Sequence, residues 1–152
     1  MTTEPIDSYD KAILDQLSTN GRITITELSR LIGLSKTPCQ ARVKRLEAEG
    51  YITGYRAILN PIKLGLDHVA FVEVKLTSTN ERALKAFNAE IMQITEIEQC
   101  HMIAGGFDYL LKVRTQSIVE YRHVMGERIS SLPHVASTST FVAMEAVKEG
   151  VL

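Results

Sequence analysis

The sequence predicts an α+β protein made of two small units in tandem. Apolar residues recur at helical spacing through the first fifty positions, whereas later segments alternate with the period of two that is typical of strands. Pro61 and Gly65 lie between these two patterns, as expected of a linker. We therefore predict a first domain over residues 1–60, a hinge linker over 61–67 and a second domain over 68–152.

The composition is that of an ordinary globular protein, with 45% hydrophobic and 23% charged residues among 152. No apolar run approaches the roughly 20 residues of a membrane span, and the acidic N-terminus lacks a signal-peptide core, so we expect a cytoplasmic protein without membrane contact. Cys39 and Cys100 have no partner at metal or disulfide spacing. We expect no metal and no cofactor.

The formal net charge is −1, but the charges are unevenly distributed. From Ser29 to Leu46 the chain carries five basic residues and no acidic one. Such a local concentration of positive charge suits an anionic polymer even when the whole chain is nearly neutral.

Two helices are predicted in the first forty residues. Asp7 or Ser8 can cap the first, and Asn20-Gly21 offers a left-handed exit from it. Thr24 and Glu27 form a capping-box pattern that begins the second helix, and Gly33 ends it. The apolar faces of the two helices are predicted to contain Ile6, Tyr9, Ile13, Leu14 and Leu17, and Ile25, Leu28, Leu31 and Ile32.

A third helix begins after Ser35 and runs to about Glu49, with Pro38 in its first turn. Two helices flanking a glycine turn are typical of the helix-turn-helix, whose second helix lies in the major groove of DNA. The segment 51–59 is predicted to form a short β-segment, so the unit is predicted to be a winged helix-turn-helix. Helical spacing places Cys39, Val43 and Leu46 inside, and turns Thr37, Gln40, Ala41, Lys44 and Arg45 outwards.

This outward face predicts binding of double-stranded DNA. Gln40 can pair with a base edge, small residues at Thr37 and Ala41 permit close approach, and longer cations can reach phosphates or guanine. The helix N-terminus can hold a phosphate through its N–H groups. The predicted DNA-binding residues are Ser35, Lys36, Thr37, Gln40, Ala41, Lys44, Arg45 and, from the wing, Arg56.

The predicted order of strands and helices in the second unit is βαββαβ, which is the ferredoxin-like arrangement. The strands are predicted over 68–77, 97–104, 107–115 and 135–147, with positive φ in the Gly105-Gly106 turn between the second and third. Asn80 or Thr79 caps the first helix, and Ser117 with Glu120 opens the second. The apolar faces of these helices are predicted to be Leu84, Phe87, Ile91 and Ile94, and Ile118, Tyr121, Met125, Ile129 and Leu132.

One face of the predicted sheet is left uncovered by helices. An exposed apolar face predicts pairing with the same face of another subunit, and hence a homodimer. The residues predicted on it are Val69, Phe71, Tyr109, Leu111, Phe141 and Ala143.

The assembled motifs resemble the Lrp/AsnC family, also called feast/famine regulators, along nearly the whole chain. Residues 37–39 (TPC) and 107–109 (FDY) look most like its leucine-responsive branch. Further stretches that carry the resemblance are ITITEL (23–28), GLSKTPC (33–39), RVKRLE (42–47), GYITGY (50–55) and GGFDYLL (105–111). The resemblance implies homodimers that assemble into an octamer, with an amino-acid effector bound between neighbouring dimers.

The same resemblance implies an effector site around the hairpin loop and the last strand. Glycine N–H groups can hold a carboxylate, and Asp108 can hold an α-ammonium. Many relatives carry an acidic residue where this chain has Gly106, which puts the ligand preference in question. The implied effector-binding residues are Met102, Ala104, Gly105, Gly106, Asp108, Thr138 and Thr140.

The expected function is that of a sequence-specific, nucleoid-associated transcription regulator of amino-acid metabolism genes. The principal alternative is a nucleoid-organising protein that binds DNA without an effector response. A free amino-acid-binding module is another alternative. An enzyme is disfavoured because the chain lacks nucleotide-binding glycine motifs and nucleophile motifs, although Cys100 stands beside His101.

Overall fold

The structure is a computed structural model that describes residues 5–150. The described chain divides into two compact units, the first running to Ile58 and the second from Leu59 to Glu149. The first unit is all-helical, and the second contains a four-stranded sheet with its helices.

Three helices form the first unit: α1 (Ser8–Thr19), α2 (Ile25–Ile32) and α3 (Lys36–Ala48). Asp7 caps α1 in a complete capping box, and the Thr24 side chain accepts the N–H of Glu27 at the start of α2. Gly33 adopts φ +75° directly after α2, as the predicted turn requires. The core of this unit consists of Ile13, Leu28, Cys39, Val43 and Leu46.

Four predictions for the first unit are wrong. Asn20 ends α1 with φ −141° and ψ 88°, and Gly21 does not have positive φ, so the exit is not left-handed. Leu31 is 47% exposed, because only part of the broad apolar face of α2 meets the core. Tyr9 is 41% exposed, because its ring lies against the guanidinium of Arg42 and not in the core. Residues 51–59 contain no strand: an extended segment needs a paired neighbour, and the described part of this unit contains no second strand.

The second unit has the predicted βαββαβ order. Its elements are β1 (His68–Leu76), α4 (Glu81–Ile91), β2 (Ile97–Met102), β3 (Tyr109–Thr115), α5 (Ile118–Val124) and β4 (Val135–Val142). The strands pair antiparallel in the order β2-β3-β1-β4, which confirms the ferredoxin-like arrangement. After α5 the chain continues as one π-helical turn, Met125–Ile129.

The helix-covered face of the sheet includes residues that were predicted on the open face. Tyr109 and Leu111 pair with Val74 and Val72 of β1, so their side chains lie on the same face as those two core residues. Tyr109 is 2% exposed and packs its ring at 4.4 Å from the ring of Phe87. The open-face prediction is therefore wrong for Tyr109 and Leu111.

The open face still carries neighbouring aromatic rings. Phe71 and Phe141 are register partners on β1 and β4, and they are 37% and 54% exposed. Val69 is buried, and Ala143 is half-buried with its N–H donated to the Val69 carbonyl. On β3, Lys112 and Arg114 occupy this face and bind Glu98 and Glu149.

Other local predictions for the second unit also require correction. The connection between β2 and β3 spans residues 103–108, and neither Gly105 nor Gly106 has positive φ, because a six-residue bend needs no tight turn. β4 ends at Val142, five residues before the predicted end. Ile118 is 49% exposed, because it occupies the first position of α5 and lies off the buried face.

Candidate nucleic-acid interface and ligand site

Helix α3 presents two chemically different faces. Cys39 and Leu46 are fully buried and Val43 is 7% exposed, so this side anchors the helix to α1 and α2. The opposite side is exposed to solvent and has small or polar side chains. On α3 and at its N-cap, the exposed residues among those predicted to bind DNA are Ser35, Lys36, Thr37, Gln40, Ala41 and Lys44.

The N-terminus of α3 lacks the side-chain cap that the other four α-helices have. Ser35 adopts the extended N-cap conformation (φ −74°, ψ 161°), yet within the described residues its hydroxyl accepts no capping hydrogen bond. Asp7, Thr24, Asn80 and Ser117 all accept one at the corresponding position. The first-turn N–H groups of α3 are therefore not bound by a cap and can meet an anion.

The cations of this segment fall into two groups. Within residues 5–150, Lys36 and Lys44 form no ion pair, and neither does the exposed Arg56. Arg30 binds Glu27 at 2.6 Å, and Arg42 binds Asp7 at 2.7 Å. Within the basic segment 29–46, the charges that form no ion pair among the described residues are thus those of the two lysines, and Arg56 adds a third from outside the segment.

Arg45 does not project outwards as predicted. Its Nη2 donates to Asp10 Oδ2 at 2.5 Å, its Nη1 lies 3.9 Å from Glu49 Oε2, and its side chain is only 24% exposed. Asp10 lies 35 residues away in the sequence, so helical periodicity could not reveal this pairing.

Asp10 is the functional candidate that the sequence did not reveal. It is fully buried, and its carboxylate accepts hydrogen bonds from Arg42, Arg45 and the N–H of Asp7. Burial opposes ionisation, but these hydrogen bonds outweigh it and lower the pKa of Asp10 to about 2. In the sequence, Asp10 stands at the third helical position, where an aspartate is typical of a capping role.

The predicted ligand loop is exposed, and its acidic residue has a structural partner. Ala104, Gly105 and Gly106 are exposed, and Met102 is 57% exposed. Asp108 is half-buried, and its Oδ2 accepts the Leu76 N–H at 2.7 Å. Its Oδ1 accepts no hydrogen bond from the described residues, so one oxygen is available to a ligand.

The two predicted threonines lie on β4, with β1 between them and β3. Thr138 pairs with Val74, which also pairs with Tyr109, so Thr138 lies about 10 Å from the start of β3. The hydroxyl of Thr140 lies 2.5 Å from that of Tyr121, and the Thr138 hydroxyl lies 3.8 Å from the Met125 sulfur. The structure thus places the loop and Thr138 near the same end of the sheet, without a hydrogen bond between them among the described residues.

Two family models match this chain. Residues 6–53 match a winged helix-turn-helix DNA-binding domain, and residues 69–152 match the Lrp/AsnC ligand binding domain. The chain belongs to the Lrp/AsnC family. This confirms the resemblance read from the sequence, and it assigns DNA binding to the unit that contains α3.

Curated relatives in this family are transcription regulators by name. The chain is 60% identical over 147 residues to the proline dehydrogenase transcriptional activator of Rhizobium radiobacter, covering 97% of this chain and 94% of that protein. It is 59% identical over 147 residues to the protein of the same name from Rhodobacter capsulatus, covering 97% and 96%. It is 44% identical over 144 residues to the leucine-responsive regulatory protein of Salmonella typhimurium, covering 95% and 88%.

Solved Lrp/AsnC structures have the same fold in both units. A transcriptional regulator of Neisseria meningitidis in complex with L-methionine superposes with a TM-score of 0.90 at 30% identity, covering 95% of this chain and 94% of that one. AsnC of E. coli superposes with a TM-score of 0.89 at 26% identity, covering 98% and 99%. The predicted fold class is therefore confirmed over both units.

Two features of the described residues bear on other classes of protein. None of the described helices is both long and apolar enough to cross a membrane. Across residues 5–150, no three His, Cys, Asp or Glu side chains group in a way that could hold a metal ion. Burial raises the pKa of Cys39, and that of Cys100 to about 11, which disfavours a reactive thiolate at Cys100 despite its neighbour His101.

Proposed function

We propose that this Lrp/AsnC regulator binds DNA upstream of a gene for proline catabolism and activates its transcription in response to an amino acid. The observation that carries the proposal is the division of α3 into an anchored apolar side and an exposed polar side. The names of the two relatives near 60% identity support proline dehydrogenase as the target gene. The protein would act in the cytoplasm, on the nucleoid.

In the proposed complex, α3 lies in the major groove. Gln40 pairs with a base edge, with Thr37 and Ala41 beside it. Lys44, Lys36 and Arg56 contact phosphates, and the uncapped N-terminus of α3 at Ser35 holds one phosphate more. Arg45 is assigned to the scaffold of the unit because Asp10 already binds its guanidinium.

The proposed effector is a small amino acid, with proline as the first candidate because it is the substrate of the enzyme named in the relatives. Asp108 Oδ1 would accept the ammonium, and the exposed N–H groups of Gly105 and Gly106 would hold the carboxylate. Met102 and Ala104 would contact the side chain, and Thr138 and Thr140 would complete the site. The L-methionine complex of the Neisseria meningitidis regulator supports this ligand class.

The proposed assembly is a homodimer of second domains that builds an octamer, with the effector between dimers. The exposed pair Phe71 and Phe141 supports association through the open sheet face. In this proposal residues 61–67 act as a hinge between domains 1–60 and 68–152. Light scattering coupled to size exclusion, with and without proline, tests the assembly.

The function is tested by fluorescence anisotropy on a duplex from upstream of the proline dehydrogenase gene and on a shuffled duplex. We expect tighter binding to the upstream duplex, and a change in that affinity when proline is added. Lys44→Ala is expected to make the salt dependence shallower by about 0.9 per subunit. The matched control Lys85→Ala removes an exposed cation of the second unit and should change nothing.

Equal, steeply salt-dependent affinity for both duplexes would instead support the nucleoid-organising alternative, in which sequence is not discriminated. Absence of binding to either duplex would refute the proposed function.

A further inference from the structure

Two arginines of α3, the helix proposed to read DNA, bind a carboxylate in the first turn of α1. Asp10 Oδ1 accepts Arg42 Nη1 at 2.9 Å, and Asp10 Oδ2 accepts Arg45 Nη2 at 2.5 Å. The two arginines are three positions apart on α3, so one buried carboxylate spans a single helical turn. This cluster of Asp7, Asp10, Arg42 and Arg45 is called the arginine clamp below.

The arginine clamp has reinforcing contacts on both sides. Asp7 Oδ2 accepts Arg42 Nη1 at 2.7 Å, and the guanidinium of Arg42 also lies 5.5 Å from the ring centre of Tyr9. The N–H of Asp7 donates to Asp10 Oδ2 at 3.1 Å, and that of Asp10 donates to Asp7 Oδ1 at 2.9 Å. The carboxylates are thereby fixed to the backbone of α1, and they in turn fix the guanidiniums.

Burial makes these contacts persistent. The Asp10 side chain is 1% exposed and those of Arg42 and Arg45 are 29% and 24% exposed, in contrast to 68% for Arg30 in its surface pair with Glu27. An ion pair on an open surface exchanges readily with water and salt, whereas a buried hydrogen-bonded pair does not. A phosphate must therefore compete with Asp10 for Arg45, and with both Asp7 and Asp10 for Arg42.

We propose that Asp10 is a specificity-determining residue, which keeps Arg42 and Arg45 away from the DNA backbone so that the exposed side of α3 dominates recognition. Contacts to phosphates strengthen binding to every sequence, whereas contacts to base edges distinguish sequences. Each guanidinium that is kept from the DNA phosphates thus lowers nonspecific affinity for DNA. Recognition of the base edge by Gln40 is unchanged. The inference rests on the proposed function, because it assumes that α3 is the reading helix.

The test uses the full-length protein and measures affinity for a random-sequence 30-base-pair duplex between 50 and 200 mM salt. Asp10→Asn keeps the size of the side chain and removes its charge. Asp10→Asn releases Arg45 while Asp7 still holds Arg42, so the dependence of log affinity on log salt is expected to steepen by about 0.9 per subunit. The ratio of upstream to random affinity should fall, because random binding gains more.

The matched control is Asp15→Asn, which removes the same charge from an exposed position on the same helix. It should leave the salt dependence at the wild-type value. The triple variant Asp10→Asn/Arg42→Gln/Arg45→Gln should restore the wild-type salt dependence, since no cation is left to release. An Asp10→Asn protein with the wild-type salt dependence, or with equal losses on both duplexes, would show that Asp10 is merely structural and would overturn the proposal.

A second variant, Arg42→Gln, tests the proposal if Asp10→Asn does not fold. This variant should fold, because Asp10 still binds Arg45 and the Asp7 N–H. We expect the wild-type salt dependence for it, and a shallower dependence would show that Arg42 already contacts phosphates and would contradict the inference. The random duplex requires no operator. The absence of any preference for the upstream duplex therefore counts against the proposed target gene, whereas the salt dependence still decides the role of Asp10.

Discussion

The ionised carboxylate of Asp10 should stabilise the first unit by an amount that disappears in acid. The pKa of Asp10 falls from its ordinary value of 3.8 to about 2 on folding, and its side chain is 1% exposed. At about 1.4 kcal/mol for each tenfold change in acidity, the stabilisation is about 2 kcal/mol. Because the folded-state pKa is lowered, this contribution is complete above pH 3.8 and is lost as the pH falls through 2.

The measurement compares wild type with Asp10→Asn in urea at several pH values from 5 to 2. Resonances of Ile13 and Val43, which are core residues of the first unit, report its unfolding separately from that of the second. The stability difference between the two proteins should shrink by about 2 kcal/mol over this range. All other carboxylates are present in both proteins, so a difference that stays constant with pH would refute the role assigned to the Asp10 charge.

Three further changes test the fold and the ligand site. Gly33→Ala should destabilise the first unit by about 1 kcal/mol in urea unfolding, because Gly33 has φ +75°. The control Gly126→Ala should not destabilise the second unit, because Gly126 has no positive φ and a Cβ added there finds no atom within 4 Å. Phe87→Ala should cost about 3 to 5 kcal/mol in the same measurement, since its ring is fully buried against Tyr109; a loss below 1 kcal/mol would contradict that packing. Asp108→Ala should destabilise the second unit by about 1 to 3 kcal/mol, through loss of the bond to the Leu76 N–H, and abolish calorimetric binding of the effector; unchanged binding would exclude the proposed ammonium contact.

Local signals in the sequence were sufficient wherever a short-range rule decides the structure. The beginning of α2 follows from the Thr24 hydroxyl and its end from Gly33, and both lie where they were predicted. The anchored side of α3 follows from the spacing of Cys39, Val43 and Leu46. These features depend on contacts within one turn or on one helical period, which can be read from the chain.

The errors arise where distant residues decide the outcome. Arg45 was predicted to project outwards from its position on the helix, but its guanidinium binds Asp10 on another helix. The two carboxylates of the arginine clamp carried only a capping signal, since no rule links positions 35 apart. The predicted wing strand at 51–59 had β-forming residues, but pairing also requires a second strand.

The face of β3 could have been assigned correctly from the sequence. Tyr109, Leu110 and Leu111 are all apolar, so at the start of the strand either the odd-numbered or the even-numbered side chains could face the helices. The charges of Lys112 and Arg114 decide the matter, because charged side chains avoid the helix-covered face and leave the odd-numbered residues to point inwards. That alternation is present in the structure, where Leu111 and Val113 are fully buried.

The central claim is that the exposed side of α3 reads DNA sequence, and Gln40→Ala tests it most directly. The measurement is the ratio of affinities for the upstream and shuffled duplexes, with Gln93→Ala as an exposed glutamine control in the second unit. The account predicts that Gln40→Ala lowers this ratio about tenfold, as for loss of one bidentate base contact, while affinity for the shuffled duplex is unchanged. An unaltered ratio, or an equal loss on both duplexes, would contradict it.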